Sequence, residues 1–279
     1  MRKTRLRHEK PQNGEDAEMD ANLGTLQRDV MRALGFLTRL PIAPKWFEGD
    51  DGKLSVTVRA FPIAATLAAL PSVLALVVGT ALDLPVLLTS TLSVAIMMIV
   101  GGALHEDGLA DCADGFFGGF DRERRLEIMR DSRIGAFGAM ALVFAILVRL
   151  IAVAAVLQSS LWGAAAAMIA AAAAGRTALV WHWTDLAGAR MGGVADKAGQ
   201  PTEDASVFAL VTGIAIAAIL AILMCGLAPA VLAAALAIAA TLIFRSLCAS
   251  KIGGHTGDTL GAAAILAELA FLTGLASGL

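Results

Sequence analysis

The chain alternates between long apolar runs and short connectors rich in glycine and charge. The runs are about 20 residues long, enough for a helix to cross ~30 Å of hydrocarbon. They predict spans at 60–80, 85–104, 136–157, 160–181, 206–227, 229–248 and 260–279, the first open to a kink at Pro71. Ahead of them Leu23, Leu26, Val30, Leu34 and Leu37 recur at helical spacing, with Arg28, Asp29 and Arg32 on the other side. That is the pattern of an amphipathic helix lying at the membrane surface or against the bundle, stopped by Pro41. Residues 1–22 are polar and charged, lack the apolar region of a signal peptide, and read as a disordered tail. The expected organisation is that tail, 1–22, followed by one membrane-embedded domain, 23–279.

Composition sharpens the class. Of 279 residues, 57% are hydrophobic and 16% charged, where soluble domains carry about 25% charge. Alanine is abundant and aromatics are few, unlike a β-barrel, and the runs lack the polar stripe of a soluble bundle. The fold class is all-α: a polytopic integral membrane helical bundle of about seven transmembrane helices plus the amphipathic helix, with the lipid bilayer around it. A net charge of −2 offers nothing to nucleic acid. Cys112, Cys225 and Cys248 form no C-x2-C pair and no even set, so neither a thiolate metal site nor a disulfide is supported. Oligomeric state stays open, a homo-oligomer included.

Charge in the connectors sets the orientation. Residues 1–59 hold eleven Lys/Arg and 105–135 hold five, while 182–205 add Arg190 and Lys197 and 249–259 add Lys251. The alternate connectors near 81–84, 158–159 and 228 hold none. By the positive-inside rule the charged set and the N-terminus are cytoplasmic, and seven spans put the C-terminus outside.

Every candidate chemical group lies on the charged side. In GGALHEDGLADCADGFFGG (101–119), Asp111 and Asp114 fall at about +40° and −20° from Asp107 on a helical wheel, so the trio is co-facial. Three ionised carboxylates there repel one another, which protonation or a bound cation relieves. Oxygen ligands of this kind suit Mg²⁺ or Mn²⁺. A solvated acidic loop is the plain alternative, and the co-facial spacing favours the metal. Gly108, Gly115, Gly118 and Gly119 would let a backbone or a phosphate come close. His105 is expected at the membrane interface and Glu106 in solvent. LEIMRDSRIG (126–135) offers Arg130, Asp131 and Arg133, either an ion pair or a phosphate clamp with one more ligand. KIGGHTGDTLGA (251–262) sets Lys251, His255, Thr256 and Asp258 at a Gly-rich turn opening a helix, an anion site or simply an N-cap. Arg176, inside an apolar span, needs an anionic partner; Arg149 and Glu268 are read as structural pairs.

TRLP (38–41), FP (61–62), GGALHEDGLADCADG, LEIMRDSRIG, GRTA (175–178) and GGHTGDTLGAA (253–263), in this order, resemble the adenosylcobinamide-GDP ribazoletransferase, or cobalamin synthase, family from about residue 30 to the end. The resemblance implies a bacterial inner-membrane, multi-pass, Mg²⁺-dependent phosphotransferase whose active site faces the cytoplasm. Its partners would be adenosylcobinamide-GDP and α-ribazole or its 5′-phosphate, with GMP released. Asp107, Asp111, Asp114 and Asp131 would be metal ligands. Asp258 would be a fifth metal ligand or the general base, Asp131 and Arg133 would be catalytic, and Arg130, Arg133, Arg176, Lys251 and Thr256 would bind substrate. Two rivals are a CDP-alcohol phosphatidyltransferase, whose motif has Arg where Asp111 stands, and a divalent-cation transporter, whose carboxylates would sit near the bilayer midplane.

The orientation is open to direct test. A cysteine placed within 120–125 or 196–203 of a Cys-free variant should resist impermeant thiol labelling of intact cells, whereas one at 82–84 should react. The reverse pattern would overturn the topology.

Overall fold

Lipid offers no hydrogen-bond partners, so a chain this apolar must satisfy its backbone within helices. The computed structural model describes the backbone of residues 12–49, 51–190 and 192–277. In order, the helices are α1 (Gln12–Leu37), α2 (Phe61–Ala68), α3 (Leu70–Ala81), α4 (Val86–Gly101), α5 (Leu104–Gly118), α6 (Arg122–Ile128), α7 (Ala136–Ser159), α8 (Leu161–Asp185), α9 (Val194–Ala198), α10 (Glu203–Cys225), α11 (Leu227–Ile252) and α12 (Gly257–Ala276). Among the described residues no strand forms; an isolated parallel bridge joins Gly188 and His255. This is an all-α, polytopic membrane bundle. Among the described residues six segments are long and apolar enough to cross a membrane, or seven if α4 and α5 count as one bent span.

The expected spans match these helices closely, with one break at Ala69–Leu70, just before Pro71. Side-chain caps mark several starts: Ser160 accepts from the Gly163 amide, Thr202 from Ala205, and Thr256 from Thr259 in a capping box. Helix α1 begins at Gln12, inside the segment read as a tail, and residues 1–11 of that tail lie outside the described residues. It packs against the bundle, where Ala33, Leu34 and Leu37 join Val58, Ala60 and Phe61 in one cluster. Asp29 on its polar side is buried and meets Arg59 at 2.6 Å.

Helices α8 and α12 form the centre. About 83% and 72% of their apolar stretches are buried, against 22% for both α10 and α11, whose apolar surfaces are left largely uncovered by the bundle. Alanine dominates α8, and small side chains let neighbouring backbones approach where hydrophobicity alone drives nothing together.

The second expected span is shorter than its pattern. After Gly101 the chain turns by 88° into α5, through Gly102 (φ 61°) and Ala103 (φ 55°). Two consecutive left-handed residues make the bend, and only the first has glycine's freedom. This turn sends HEDGLADCADG across the bundle end instead of along α4.

Two expectations fail here. Glu106 is not solvated and His105 is not at an interface; both are buried. Arg149 donates to Glu268 Oε1 at 2.8 Å and to Glu106 Oε1 at 3.1 Å, and Arg176 donates to Glu268 Oε2 at 3.1 Å. Arg176 also lies 3.4 Å from His105 Nδ1. Two cations and two anions thus neutralise one another where α5, α7, α8 and α12 meet. The pairing expected of Arg149 and Glu268 is what the structure contains.

Glu268→Gln should leave two guanidiniums facing one carboxylate and cost about 3–5 kcal/mol. Thermal unfolding in detergent should show it, and adding Arg176→Met, which restores neutrality around the Arg149–Glu106 pair, should recover part of the loss. An unchanged melting temperature in Glu268→Gln would remove the network from the stability account.

Candidate active site

The rotation of α5 is set from inside. With Glu106 held in the core by Arg149, the face bearing Asp107, Asp111 and Asp114 turns to the bundle end beside the start of α12. There the two helices touch backbone to backbone. A Cβ on Gly108 would lie 2.6 Å from the Asp258 carbonyl oxygen, and one on Gly261 would lie 3.1 Å from the Cα of His105. The glycines of this motif therefore admit protein rather than phosphate: Gly108 admits the turn of Asp258, while Gly115 and Gly119 admit Met129 and Arg125.

Asp111 lies within electrostatic reach of Asp107, Asp258 and Asp114, with Arg190 as the counter-charge. Asp258 accepts from the Thr256 hydroxyl at 3.2 Å and from Arg190 at 3.3 Å. Thr256, not Asp258, is the N-cap. Asp114 receives the amide N–H of Gly135 at 2.7 Å and of Gly138 at 2.9 Å, so it caps the start of α7. Each carboxylate oxygen keeps a lone pair beyond those bonds.

Asp131 is in a different situation. It accepts from the Arg133 guanidinium, at 2.6 Å to Oδ2, and from the Arg133 amide at 3.1 Å. The side-chain bond and then the amide bond hold its pKa down at about 2, so it stays ionised throughout the neutral range. Arg130 is exposed on the same loop. Lys251, closing α11, holds its ammonium 5.9 Å from the centre of the Phe117 ring. Arg176 is engaged with Glu268 in the core. The structure thus gathers Asp107, Asp111, Asp114 and Asp258 and leaves Asp131 with Arg133. Among the described residues no three His, Cys, Asp or Glu side chains close into a metal cage.

Sequence reasoning missed three arginines. Arg190 reaches Asp258 from a loop with no periodic pattern to place it. Arg122 and Arg125 work as ties: Arg122 donates to the carbonyls of Ile252 and Ala189, and Arg125 to those of Gly119, Phe120 and Lys251. Their i, i+3 spacing on α6 was the available signal. The tied loops also pair directly, Ala189 N–H with the His255 carbonyl at 2.7 Å and His255 N–H with the Ala187 carbonyl at 2.8 Å. Burial lowers the pKa of His255, leaving the ring neutral, and its Nδ1 sits 2.8 Å from the Leu186 carbonyl.

A polytopic helical membrane protein with an anionic polar site at one end of its bundle is the class these features define. The family described as cobalamin-5-phosphate synthase matches residues 29–276. Similar proteins include the adenosylcobinamide-GDP ribazoletransferase of Sinorhizobium sp, 47% identical over 256 residues that cover 91% of this chain and 98% of that one. The protein of the same name from Rhizobium meliloti (strain 1021) is 44% identical over 259 residues, covering 92% and 98%. That of Brucella ovis is 41% identical over 252 residues, covering 90% and 97%. No solved structure matches. The chain belongs to the cobalamin-5-phosphate synthase family and is a transferase. Neither a phosphatidyltransferase nor a cation transporter finds support among these matches.

The contact at Gly108 is testable. Gly108→Ala must push α5 from α12 by several tenths of an ångström or more, and misplacement of about 1 Å costs on the order of 100-fold in rate. Turnover should fall at least about 10-fold, whereas Gly101→Ala, which meets nothing within 4 Å, should stay near wild type. Equal activities would show that the crossing does not position the site.

Proposed function

We propose that the protein transfers the adenosylcobinamide phosphate moiety of adenosylcobinamide-GDP to α-ribazole or its 5′-phosphate, releasing GMP. The observation that carries this reading is the group Asp107, Asp111, Asp114 and Asp258 beside Arg190, in a chain of this family. A ribose hydroxyl oxygen bonds to the phosphorus on the cobinamide side, the bond to the GMP oxygen breaks, and the hydroxyl proton passes to a base. Such a reaction asks the protein for position and charge neutralisation more than for covalent chemistry. Hydrogen bonds from Thr256 and Arg190 steady Asp258, which supports it as the group that takes the proton or as a further metal ligand. Arg130 and Arg133, on the loop before α7, and Lys251, at the end of α11, would receive phosphate oxygens, with Arg133 held in place by Asp131.

The donors suit Mg²⁺. Four carboxylates near one arginine leave an excess of negative charge, and Mg²⁺ commonly takes one or two carboxylates with waters and substrate phosphates, so a closed protein cage is not required. Asp107, Asp111 and Asp114 would hold it, while Asp131, read from the sequence as a further ligand, is paired with Arg133 and would act by holding that guanidinium. When bound, the ion supplies neutralisation of the charge developing on the phosphate oxygens. The membrane would be the bacterial inner membrane with the site toward the cytoplasm, the side the basic connectors favour.

Purified protein in lipid, given adenosylcobinamide-GDP and α-ribazole, should release GMP with Mg²⁺, stop in EDTA, and resume with Mg²⁺ or Mn²⁺. No release of GMP would end the reading, and full turnover in chelated enzyme would end its metal part. Asp111→Asn keeps the shape but loses the charge, so it should insert and purify normally while losing about two to three orders of magnitude in turnover, roughly 3–4 kcal/mol. Mg²⁺ should raise the melting temperature of the wild type more than that of the variant. Matching turnover and matching shifts would reduce the cluster to a solvated acidic end.

A further inference from the structure

A cavity of about 490 Å³ opens between α8, α10 and α11, against about 130 Å³ for the space beside the carboxylates. Its outer walls, α10 and α11, are the spans that the bundle covers least. Ala178, Ala217, Ala237 and Phe271 are buried and form its floor, while Ile214, Val231 and Ile238 are exposed along its edges. From Leu210 to Ile222 the α10 wall runs about 18 Å at 1.5 Å per residue. That is slightly more than half of the ~30 Å of hydrocarbon, the depth that one acyl chain fills.

The walls select the occupant. Among the lining residues only Thr177, Thr241 and Trp181 carry polar side-chain atoms. Both hydroxyls are engaged within their own helices, Thr177 donating to the Ala173 carbonyl and Thr241 to that of Ala237, each at 2.8 Å. The Trp181 indole donates to Asp185 at 3.0 Å. A polar ligand needs convergent polar groups to orient it, and these are already bonded. Shape disfavours a second helix. Helices meet in membranes where small residues let backbones approach, and here the small residues lie below a rim of β-branched ones. A helix ~10–12 Å wide would rest on that rim and leave the floor uncovered. A flexible hydrocarbon chain reaches it.

One end of the groove is different. Arg245, one turn beyond Thr241 on α11, sets its guanidinium 5.1 Å from the centre of the Trp181 ring, and its Nη2 meets Asp185 at 2.7 Å. An interfacial aromatic beside a cation marks the level of lipid headgroups. Asp185 occupies one nitrogen, and the guanidinium has further N–H groups to offer a phosphate.

We propose that this groove is a binding site for one phospholipid, with an acyl chain along the alanine floor and the phosphate at Arg245. The site is separate from the acidic end of the bundle and does not depend on the reaction proposed above. A chain seated there also covers the outer side of α8 and α12, the helices that bring Arg176 and Glu268 together.

The test uses the full protein purified in mild detergent. Ala234→Phe fills the groove from α11, and Ala235→Phe puts the same ring on the next exposed position, outside the lining. Native mass spectrometry should show one phospholipid retained by the wild type and by Ala235→Phe. Retention should fall at least about 10-fold, or ~1.4 kcal/mol, in Ala234→Phe. Ala218→Phe, on the α10 wall, should do the same and stands in if Ala234→Phe does not fold. Added phospholipid should raise the melting temperature of the wild type and Ala235→Phe more than that of Ala234→Phe. Arg245→Gln should weaken retention of phospholipid but not of diacylglycerol, which has the same chains and no phosphate. Equal retention in the two alanine variants would overturn the site. So would a wild-type dimer that carries no lipid and dissociates in Ala234→Phe, which would assign the groove to a second copy. Equal loss of phospholipid and diacylglycerol in Arg245→Gln, or loss of neither, would overturn the headgroup contact.

Discussion

Two arginines and two glutamates cancel one another's charge in the middle of the bundle, and the rest of the molecule is arranged around that balance. Arg149 bridges Glu106 and Glu268, and Arg176 takes the second oxygen of Glu268, so α5, α7, α8 and α12 are joined at one place. An unpaired ion there would cost several kcal/mol, so any arrangement that withdraws one partner is penalised. Helix packing between alanine faces is comparatively permissive in rotation. The ionic contact is not, because it fixes which face of α5 looks inward.

That choice of face generates the site. Glu106 and Asp107 are neighbours on a helix, about 100° apart on the wheel. Once the first is committed to the core, the second and its co-facial partners must turn outward, toward the start of α12. The close approach at Gly108 and Gly261 then brings Asp258 to them. Arg122 and Arg125 tie the end of α11 and the loop before α9 to the same corner, which carries Arg190 to Asp258. One helix therefore holds a structural acid and three acids of the anionic site side by side, and their different fates come from their partners rather than from their chemistry.

Asp114 belongs to the anionic group and is at the same time a structural residue. Its oxygens cap the amides that open α7, an arrangement a carboxylate favours because helix N-termini carry partial positive charge. Held there, it is fixed in position, and each oxygen keeps a lone pair beyond its bond to the amide. Asp131 and Arg133 do something similar for each other on the next loop. In both cases a hydrogen bond to the protein's own backbone or side chain fixes where the charged group sits.

By itself the sequence determined the apolar spans and the identity of the acid-rich motifs, and it supplied the charge asymmetry from which the orientation is expected. These follow from local properties: apolar run length against the thickness of a bilayer, basic residues beside span ends, and spacing on a single helix. The pairing expected of Arg149 and Glu268 was also legible, since charge inside an apolar run demands a partner. What the sequence left undecided was which neighbour each charged group would meet. Glu106 looked like the most solvated acid of its motif and is the most committed to the core. Arg190 sat in a loop without pattern and faces Asp258, and Phe36 and Phe61 were two scattered aromatics until α1 packed beside α2 and stacked them. Those outcomes belong to the tertiary structure, because Coulomb pairing and stacking act over a few ångströms between residues tens to more than a hundred positions apart, and no spacing rule along one helix encodes them.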